Sequence, residues 1–433
     1  MNVIVVNQRG AARLKAGHLW VYRSDIASGH APSGSLVEVR DQRSRRMGSA
    51  LYSSASQIAI RLLTSEIIPE AALVPLLRDR INAAIRYRKE NARDTDSYRV
   101  IFSEADLLPG LIVDRYHDLL VMQILTQAFD RDDLRNVVVA TLAEHFPDAA
   151  LIERVDPHIR ELEQLPARES QIIRASDSSR PTPKKGVEQV TRQAKEKTRV
   201  PHPTPGSGAG WETTDPSRTI FTFNGVHFHF DALGGQKTGA FLDQRENYAA
   251  AARYAHGEAL DCFTYQGGFA LHLARVCDSV TAVDASRPAL EVAEQNEQLN
   301  RERHRPGEIE WTEANAFDLL KDYQTAGRQY DTIVLDPPAF AKSKRAVETA
   351  TRGYKELNLR ALKMLRPGGI LVTCSCSFHV SEPEFLEMLG SAAADAGRRV
   401  RLLEKRGASM DHPVLINVPE TNYLKCLICQ LET

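Results

Sequence analysis

The sequence predicts an α/β protein whose C-terminal half is a doubly wound, mostly parallel sheet, preceded by a β-rich module and a small central α/β unit. Two observations carry this. Beyond about residue 217, the short β-rich runs ALDCF, VTAVD, IEWTE, DTIVLD and GGILVTC are interleaved with helical stretches such as ALHLARVC, PALEVAEQNEQLN and TRGYKELNLRALKML. Such alternation builds a parallel sheet covered by helices. Ahead of it, the patterning differs block by block and is interrupted by a stretch poor in apolar residues.

Residues 1–72 hold β segments, LVEVRD, MGSALY and QIAIRLL, separated by Gly and Ser turns, which makes a small β module. In 73–160, LLRDRINAAIRYRKEN spaces Leu77, Ile81, Ala84 and Ile85 as one helix face, with charges opposite. SEADLLPGLIVDRYHDLLVMQIL then gives two strands around a turn at His117 and Asp118, and 131–145 returns to helical periodicity. Residues 161–216 are expected to be a weakly basic linker or insertion. Within them, 166–210 carry six Pro, four Gly and nine Lys/Arg against four acids, too little apolar surface to offset ordering entropy. Residues 217–433 form the sheet domain.

Composition narrows the class. A chain of 433 residues, 42% hydrophobic, buries a sizeable core without disulfide or metal staples, and six scattered cysteines suggest reduced thiols. No run approaches the ~20 apolar residues of a membrane span, so no membrane is expected and the cytoplasm is the expected compartment. A net charge of −1 gives no global attraction to nucleic acid, but residues 9–46 carry eight Lys/Arg against three acids and residues 78–93 six against two. Monomer and homodimer are both open.

In a doubly wound sheet, ligands bind beyond the carboxyl ends of the strands, so the residues closing each strand matter most. The first strand closes with Asp261 and enters a helix through Gly267 and Gly268; GxGxxG is absent, so no dinucleotide pyrophosphate cradle is implied. The second closes with Asp284, placed to accept hydrogen bonds from a ribose diol, although with Ser286 and Pro288 behind it a helix-start role suits it equally. A nucleoside is implied, and S-adenosylmethionine fits these features better than NAD.

The fourth strand ends in Asp336-Pro337-Pro338-Ala339-Phe340, where two prolines fix an extended turn and aim the acid at the crevice. That suits a methyltransferase acting on a planar nitrogenous base; a plain turn capped by Asp336 is the bland alternative. The fifth strand ends in TCSCSFHV, where alternation places Cys374 and Cys376 on one face with Cys376 nearer the crevice. Pyrimidine C5 becomes nucleophilic when a thiolate adds to C6, chemistry that needs a cysteine beside an acid. Redox and zinc readings are weaker: the one CxxC, Cys426 and Cys429, lies in a strand and sends its thiols to opposite faces, and His379 is the only further ligand near Cys376. Cys262 and Cys277 are expected to pack in the core.

Together, GGQKTGAFLDQREN, LDCFTYQGGFAL, VDAS, NAFDLL, LDPPAFAKSK and TCSCSFHV resemble the RlmI-type bacterial 23S ribosomal RNA cytosine-5 methyltransferases, and GHLWVYRSDI resembles their PUA domain. The resemblance implies a PUA RNA-binding domain, a central domain and a class I (Rossmann-like) domain that moves a methyl from S-adenosylmethionine to cytosine C5 in 23S RNA, naked or partly assembled. It places Lys237, Thr238, Phe241, Gln244 and Arg245 on the methionine side of the cofactor, Asp261 and Gly267 at the turn beside it, and Asp284 on the ribose. Cys376 takes the nucleophile's place and Asp336 that of its acidic partner; Lys237 and Arg245 would grip the methionine carboxylate. Asn315 stands where an adenine-contacting Asp is expected, and an amide can still serve that edge. The loop after Asp336 lacks the second cysteine many such enzymes use for product release. Two alternatives remain: an amino-methyltransferase of adenine or guanine, which needs no cysteine, and a non-catalytic PUA RNA-binding protein.

Overall fold

The computed structural model describes residues 1–175, 215–234, 240–301, 307–341 and 343–432. The first unit comprises β1 (Asn2–Val6), α1 (Gln8–Lys15), β2 (Trp20–Tyr22), β3 (Ile26–Ser28), β4 (Leu36–Asp41), β5 (Arg46–Tyr52) and β6 (Ile58–Thr64). Its strands form one sheet in the order β2-β6-β5-β4-β1-β3. Five of the eight basic residues in its charged stretch are engaged by just three acids: Arg9 and Arg13 by Asp25, Arg40 and Arg46 by Glu38, Arg45 by Asp41. Much of this basic excess therefore braces the module.

The central unit is built from α2 (Leu73–Asn91), β7 (Ser97–Phe102), β8 (Leu111–Tyr116), β9 (Leu119–Ile124), α3 (Asp132–His145), β10 (Ala150–Glu153), α4 (Pro157–Leu162) and β11 (Gln171–Arg174). Leu77, Ile81, Ala84 and Ile85 bury the predicted face of α2 against the sheet, whose order is β11-β10-β9-β8-β7. One boundary needs correction. Residues 161–216 were expected to be linker, but Gln171–Arg174 pairs antiparallel with β10, so the chain stays in the central sheet to Arg174. Local alternation in a strand of four residues is too short to stand out from its polar surroundings. The rest of that stretch, 176–214, lies outside the described residues.

A hairpin, β12 (Arg218–Phe223) and β13 (Val226–Asp231), leads into the third unit. That unit runs α5 (Arg245–Tyr254), β14 (Glu258–Cys262), α6 (Gly268–Leu273), β15 (Ser279–Asp284), α7 (Arg287–Arg301), β16 (Glu308–Glu313), α8 (Ala316–Thr325), β17 (Tyr330–Leu335), α9 (Val347–Met364), β18 (Leu365–Ser375), α10 (Glu382–Asp395), β19 (Val400–Arg406) and β20 (Lys425–Leu431). The sheet order is β16-β15-β14-β17-β18-β20-β19, parallel from β16 to β18, with β20 and β19 antiparallel. Apolar cores lie on both faces: Val372 packs with Tyr248 and Phe269 on one, Leu371 with Tyr354 and Leu357 on the other. Burial on both sides explains why GGILV reads as a continuous apolar run instead of an alternating one. The chain reverses between β14 and β17, where the neighbours of β14 lead in opposite directions, and the crevice of such a sheet opens at that point.

Asp411, in the loop between β19 and β20, ties the central and third units together. Its carboxylate accepts from the Arg99 backbone N–H (2.7 Å) and from Arg245 Nη2 (3.0 Å), and its carbonyl accepts from Arg88 Nη2 (2.9 Å). All three side chains, Arg88, Arg245 and Asp411, are buried. Burial alone would push this carboxyl up, but His412, Arg245 and the Arg99 N–H hold it well below the usual carboxylate range. A buried charge that loses its partner is costly, so Asp411→Ala should destabilise the protein by roughly 3–5 kcal/mol. A denaturant titration checks this, and an unchanged midpoint would show that the joint is not set by Asp411.

Candidate active site

The carboxyl ends of β14, β15, β17 and β18 enclose a cavity of about 660 Å³, within the range of pockets that bury a small ligand. Asp284, at the end of β15, lines it. Its two carboxyl oxygens accept the backbone N–H groups of Tyr265 and Ser286 at 2.9 Å each, which fixes the carboxylate and leaves further lone pairs for a ligand. Asn315, at the end of the turn after β16, also lines the wall; its oxygen caps α8 through the Phe317 N–H, leaving its amide N–H₂ as a donor. Phe317, Phe340, Phe241 and Tyr265 supply apolar and aromatic wall between them.

Asp261 lies beneath this wall, buried, and takes a hydrogen bond from Thr264 Oγ1 (2.6 Å), itself a lining residue. Among the described residues its Oδ1 makes no hydrogen bond of normal geometry, an expensive arrangement for a buried acid. Burial raises its carboxyl to about 7 against the pull of Thr264. Gly267 starts α6 at φ +85°, and a Cβ there would come within 2.8 Å of the Trp311 ring. The glycine allows the turn to pack closely; Gln266 and Gly268 beside it, and not Gly267 itself, face the cavity.

Asp336 follows β17 directly and faces the cavity from the other side. Its Oδ1 accepts from Gln244 Nε2 (3.0 Å), a partner far outside its own turn. Burial pushes its carboxyl up to about 8, aided by Asp243 and Asp261 and opposed by Gln244. Near neutral pH it therefore carries a proton and can donate. β17 and β18 pair in parallel with Leu335 opposite Thr373, which brings the residues just beyond both ends to the same place. Cys376 is there: half-buried, lining the cavity, with its Sγ 4.0 Å from the Pro337 carbonyl. Burial, Asp336 and Asp243 push its thiol up to about 11, while Lys425 pulls the other way.

Strand β18 stops at Ser375, so the alternation expected to place both cysteines on one face does not extend to Cys376. Cys374 is fully buried opposite Cys426 and packs in the core, as do Cys262, Cys277 and Cys429. Arg245 requires a larger correction. It was expected to grip a ligand carboxylate, but it is buried, does not line the cavity, and is held by Asp411 and by the Arg93 carbonyl at 2.9 Å. The arginine of a motif looks ligand-directed in sequence because its partner lies far along the chain. Gln244 and Phe241 do line the cavity, whereas Lys237 and Thr238 fall outside the described residues.

Sequence reasoning missed Asp243 and Tyr423. Both line the cavity, and Tyr423 Oη donates to Asp243 Oδ2 at 2.5 Å. Asp243 sits inside the DQR motif with nothing to set it apart from its neighbours, and nothing local marks Tyr423. If Asp284 holds a ribose, Asp284→Ala should weaken S-adenosylmethionine binding by roughly tenfold to a hundredfold, the worth of a charge-assisted hydrogen bond. Calorimetry measures it, and an unchanged affinity would leave Asp284 as a loop anchor only.

Comparison with known proteins adds independent findings. The S-adenosylmethionine-dependent methyltransferase family matches residues 187–427, and a PUA-like domain matches residues 4–65. Ribosomal RNA large subunit methyltransferase I of Klebsiella pneumoniae is 33% identical over 420 residues, covering 96% of this chain and 94% of that protein. Its namesake from Photobacterium profundum is 34% identical over 97% of this chain and 96% of its own length. Among solved structures, a protein from Streptococcus mutans grouped with the SAM-dependent methyltransferases superposes with a TM-score of 0.75 at 17% identity, over 99% of this chain and 100% of that one. The structure of SMU.776 complexed with SAH has a TM-score of 0.76 at 17% identity and the same coverage. These two likenesses speak to the fold.

Proposed function

The chain belongs to the ribosomal RNA large subunit methyltransferase I family, and from that premise we propose that it methylates C5 of a cytosine in 23S ribosomal RNA through a transient bond between Cys376 and the base. The observation that carries the proposal is that, of the six cysteines, Cys376 lines the cavity, beside Asp336.

The cavity residues fit S-adenosylmethionine. Asp284 offers a fixed carboxylate for a ribose and Asn315 an amide for an adenine edge. A cytosine in folded RNA must leave its stack to reach such a cavity. Cys376 then adds through Sγ to C6, while protonated Asp336 donates to N3, which takes up the charge that develops on the ring. C5 becomes an enamine-like carbon. When bound, S-adenosylmethionine supplies the electrophilic methyl group that such a carbon accepts. Loss of the C5 proton to a base expels the Cys376 thiolate and restores the aromatic ring.

The PUA-like domain supplies backbone contacts that hold the RNA without reading its sequence.

Cys376→Ala should abolish methylation of 23S RNA, at least about a thousandfold, while S-adenosylmethionine still binds; retained activity would point to the amino-methyltransferase alternative. The pH dependence is specific too. Reaction needs Asp336 protonated (about 8) and Cys376 deprotonated (about 11). Below pH 8 both hold protons, so kcat/KM climbs with the thiolate fraction; above it Asp336 loses its proton as fast as thiolate forms, and the profile levels. Asp336→Asn keeps a donor that does not titrate, so its profile, lower throughout, should rise more steeply above pH 8 than that of the wild type. Equal slopes above pH 8 in the two would assign that titration elsewhere.

A further inference from the structure

Lys425 opens β20 in register with Ser375, the residue before Cys376. Its side chain is buried, and its Nζ donates to the carbonyls of Ser377 (2.6 Å) and Tyr423 (2.8 Å). The ammonium thus clamps the backbone on the far side of Cys376 to a loop residue that lines the cavity. Among the described residues, no carboxylate comes within ion-pair distance of it. Glu384, the acid within electrostatic reach, serves the capping box of α10 with Ser381. A buried cation with only carbonyls for company is costly and contributes little to stability.

We propose that Lys425 is a positioning residue whose ammonium is the counter-charge for the Cys376 thiolate. The groups facing Cys376 from the surrounding elements are Asp336 beyond β17, Asp243 ahead of α5, Tyr423 ahead of β20, Tyr354 on α9, and Lys425. Burial, Asp336 and Asp243 all oppose the thiolate, and Lys425 is the cation that acts against them. Burial lowers Lys425 to about 8, and Cys376 pulls it back up; each favours the charged form of the other. Below pH 8 the ammonium is present and the thiolate is assisted; above it the assistance fades. The role explains how a thiol pushed up by its surroundings still reaches its reactive form.

This inference rests on the reading of Cys376 as the nucleophile, so the test reads the thiol directly and not the methylation. The full-length chain is treated with iodoacetamide across pH 6.5–8.5 and the rate of carbamidomethylation at Cys376 is followed by mass spectrometry, with the five buried cysteines as internal controls. Lys425→Gln keeps an N–H donor for the two carbonyls but no charge; Lys425→Met removes the charge and both hydrogen bonds. Both should alkylate Cys376 about tenfold more slowly at pH 7.5, a loss of about one pKa unit, with S-adenosylmethionine affinity unchanged. Rates within twofold of wild type in both variants would overturn the proposal. A slow Met variant beside a normal Gln variant would do so as well, because it assigns the effect to the Ser377 hydrogen bond. Should Cys376→Ala methylate RNA normally, the nucleophile reading fails while the alkylation result stands on its own.

Discussion

The site depends on one constraint: β17 and β18 lie side by side and run parallel. With Leu335 opposite Thr373, the first residues past the two strands, Asp336 and Cys376, converge on the same crevice. Were the strands antiparallel or separated, Asp336 and Cys376 would open on opposite ends of the sheet. The parallel pairing in turn requires helices on both faces, which is why these strands are apolar throughout and why polar groups accumulate only where they end. Two prolines after Asp336 then stop the ladder and leave the Pro337 carbonyl beside the thiol.

Electrostatics follows from that geometry. Asp243, Asp261, Asp284 and Asp336 gather around one cavity, and two of them are pushed up by burial, Asp261 further by Asp284 and Asp336 further by Asp243 and Asp261. For the empty protein this is a cost, since an acid raised on folding destabilises it as pH climbs through its folded value. The thiol is also suppressed by these acids, which is the reason a nearby cation matters. The Asp411 joint carries the mechanical side of the arrangement, because Arg245 sits one residue after Gln244, the donor to Asp336, and its burial anchors that segment against the central unit.

Much of this is legible in the sequence, for identifiable reasons. Strand ends are marked by Asp261, Asp284 and Asp336 because apolar runs stop there, and the run GGILV points to the pair Cys374 and Cys376 without deciding between them. The helix face of α2 is readable because its period is local. What the sequence hides is non-local. Arg245 looks like an anion clamp until Asp411, 166 positions away, is seen beneath it. Gly267 looks like a ligand contact until Trp311 is seen packed against it. Lys425 and Tyr423 carry no motif, and the first basic stretch looks like an open RNA surface although three acids engage five of its cations. Charge counting sees residues, not partners.

The central claim is that Cys376 bonds to cytosine C6 during turnover. The most direct measurement replaces the target cytosines with 5-fluorocytosine, whose C5 has no proton to lose, so that the bond cannot be broken after methyl transfer. Incubated with the wild-type chain and S-adenosylmethionine, such RNA should yield a stable protein–RNA adduct, and mass spectrometry of the digested complex should find the nucleotide on the peptide that contains Cys376, at its Sγ. Absence of any adduct, or a nucleotide attached through Cys374 or another residue, would contradict the account.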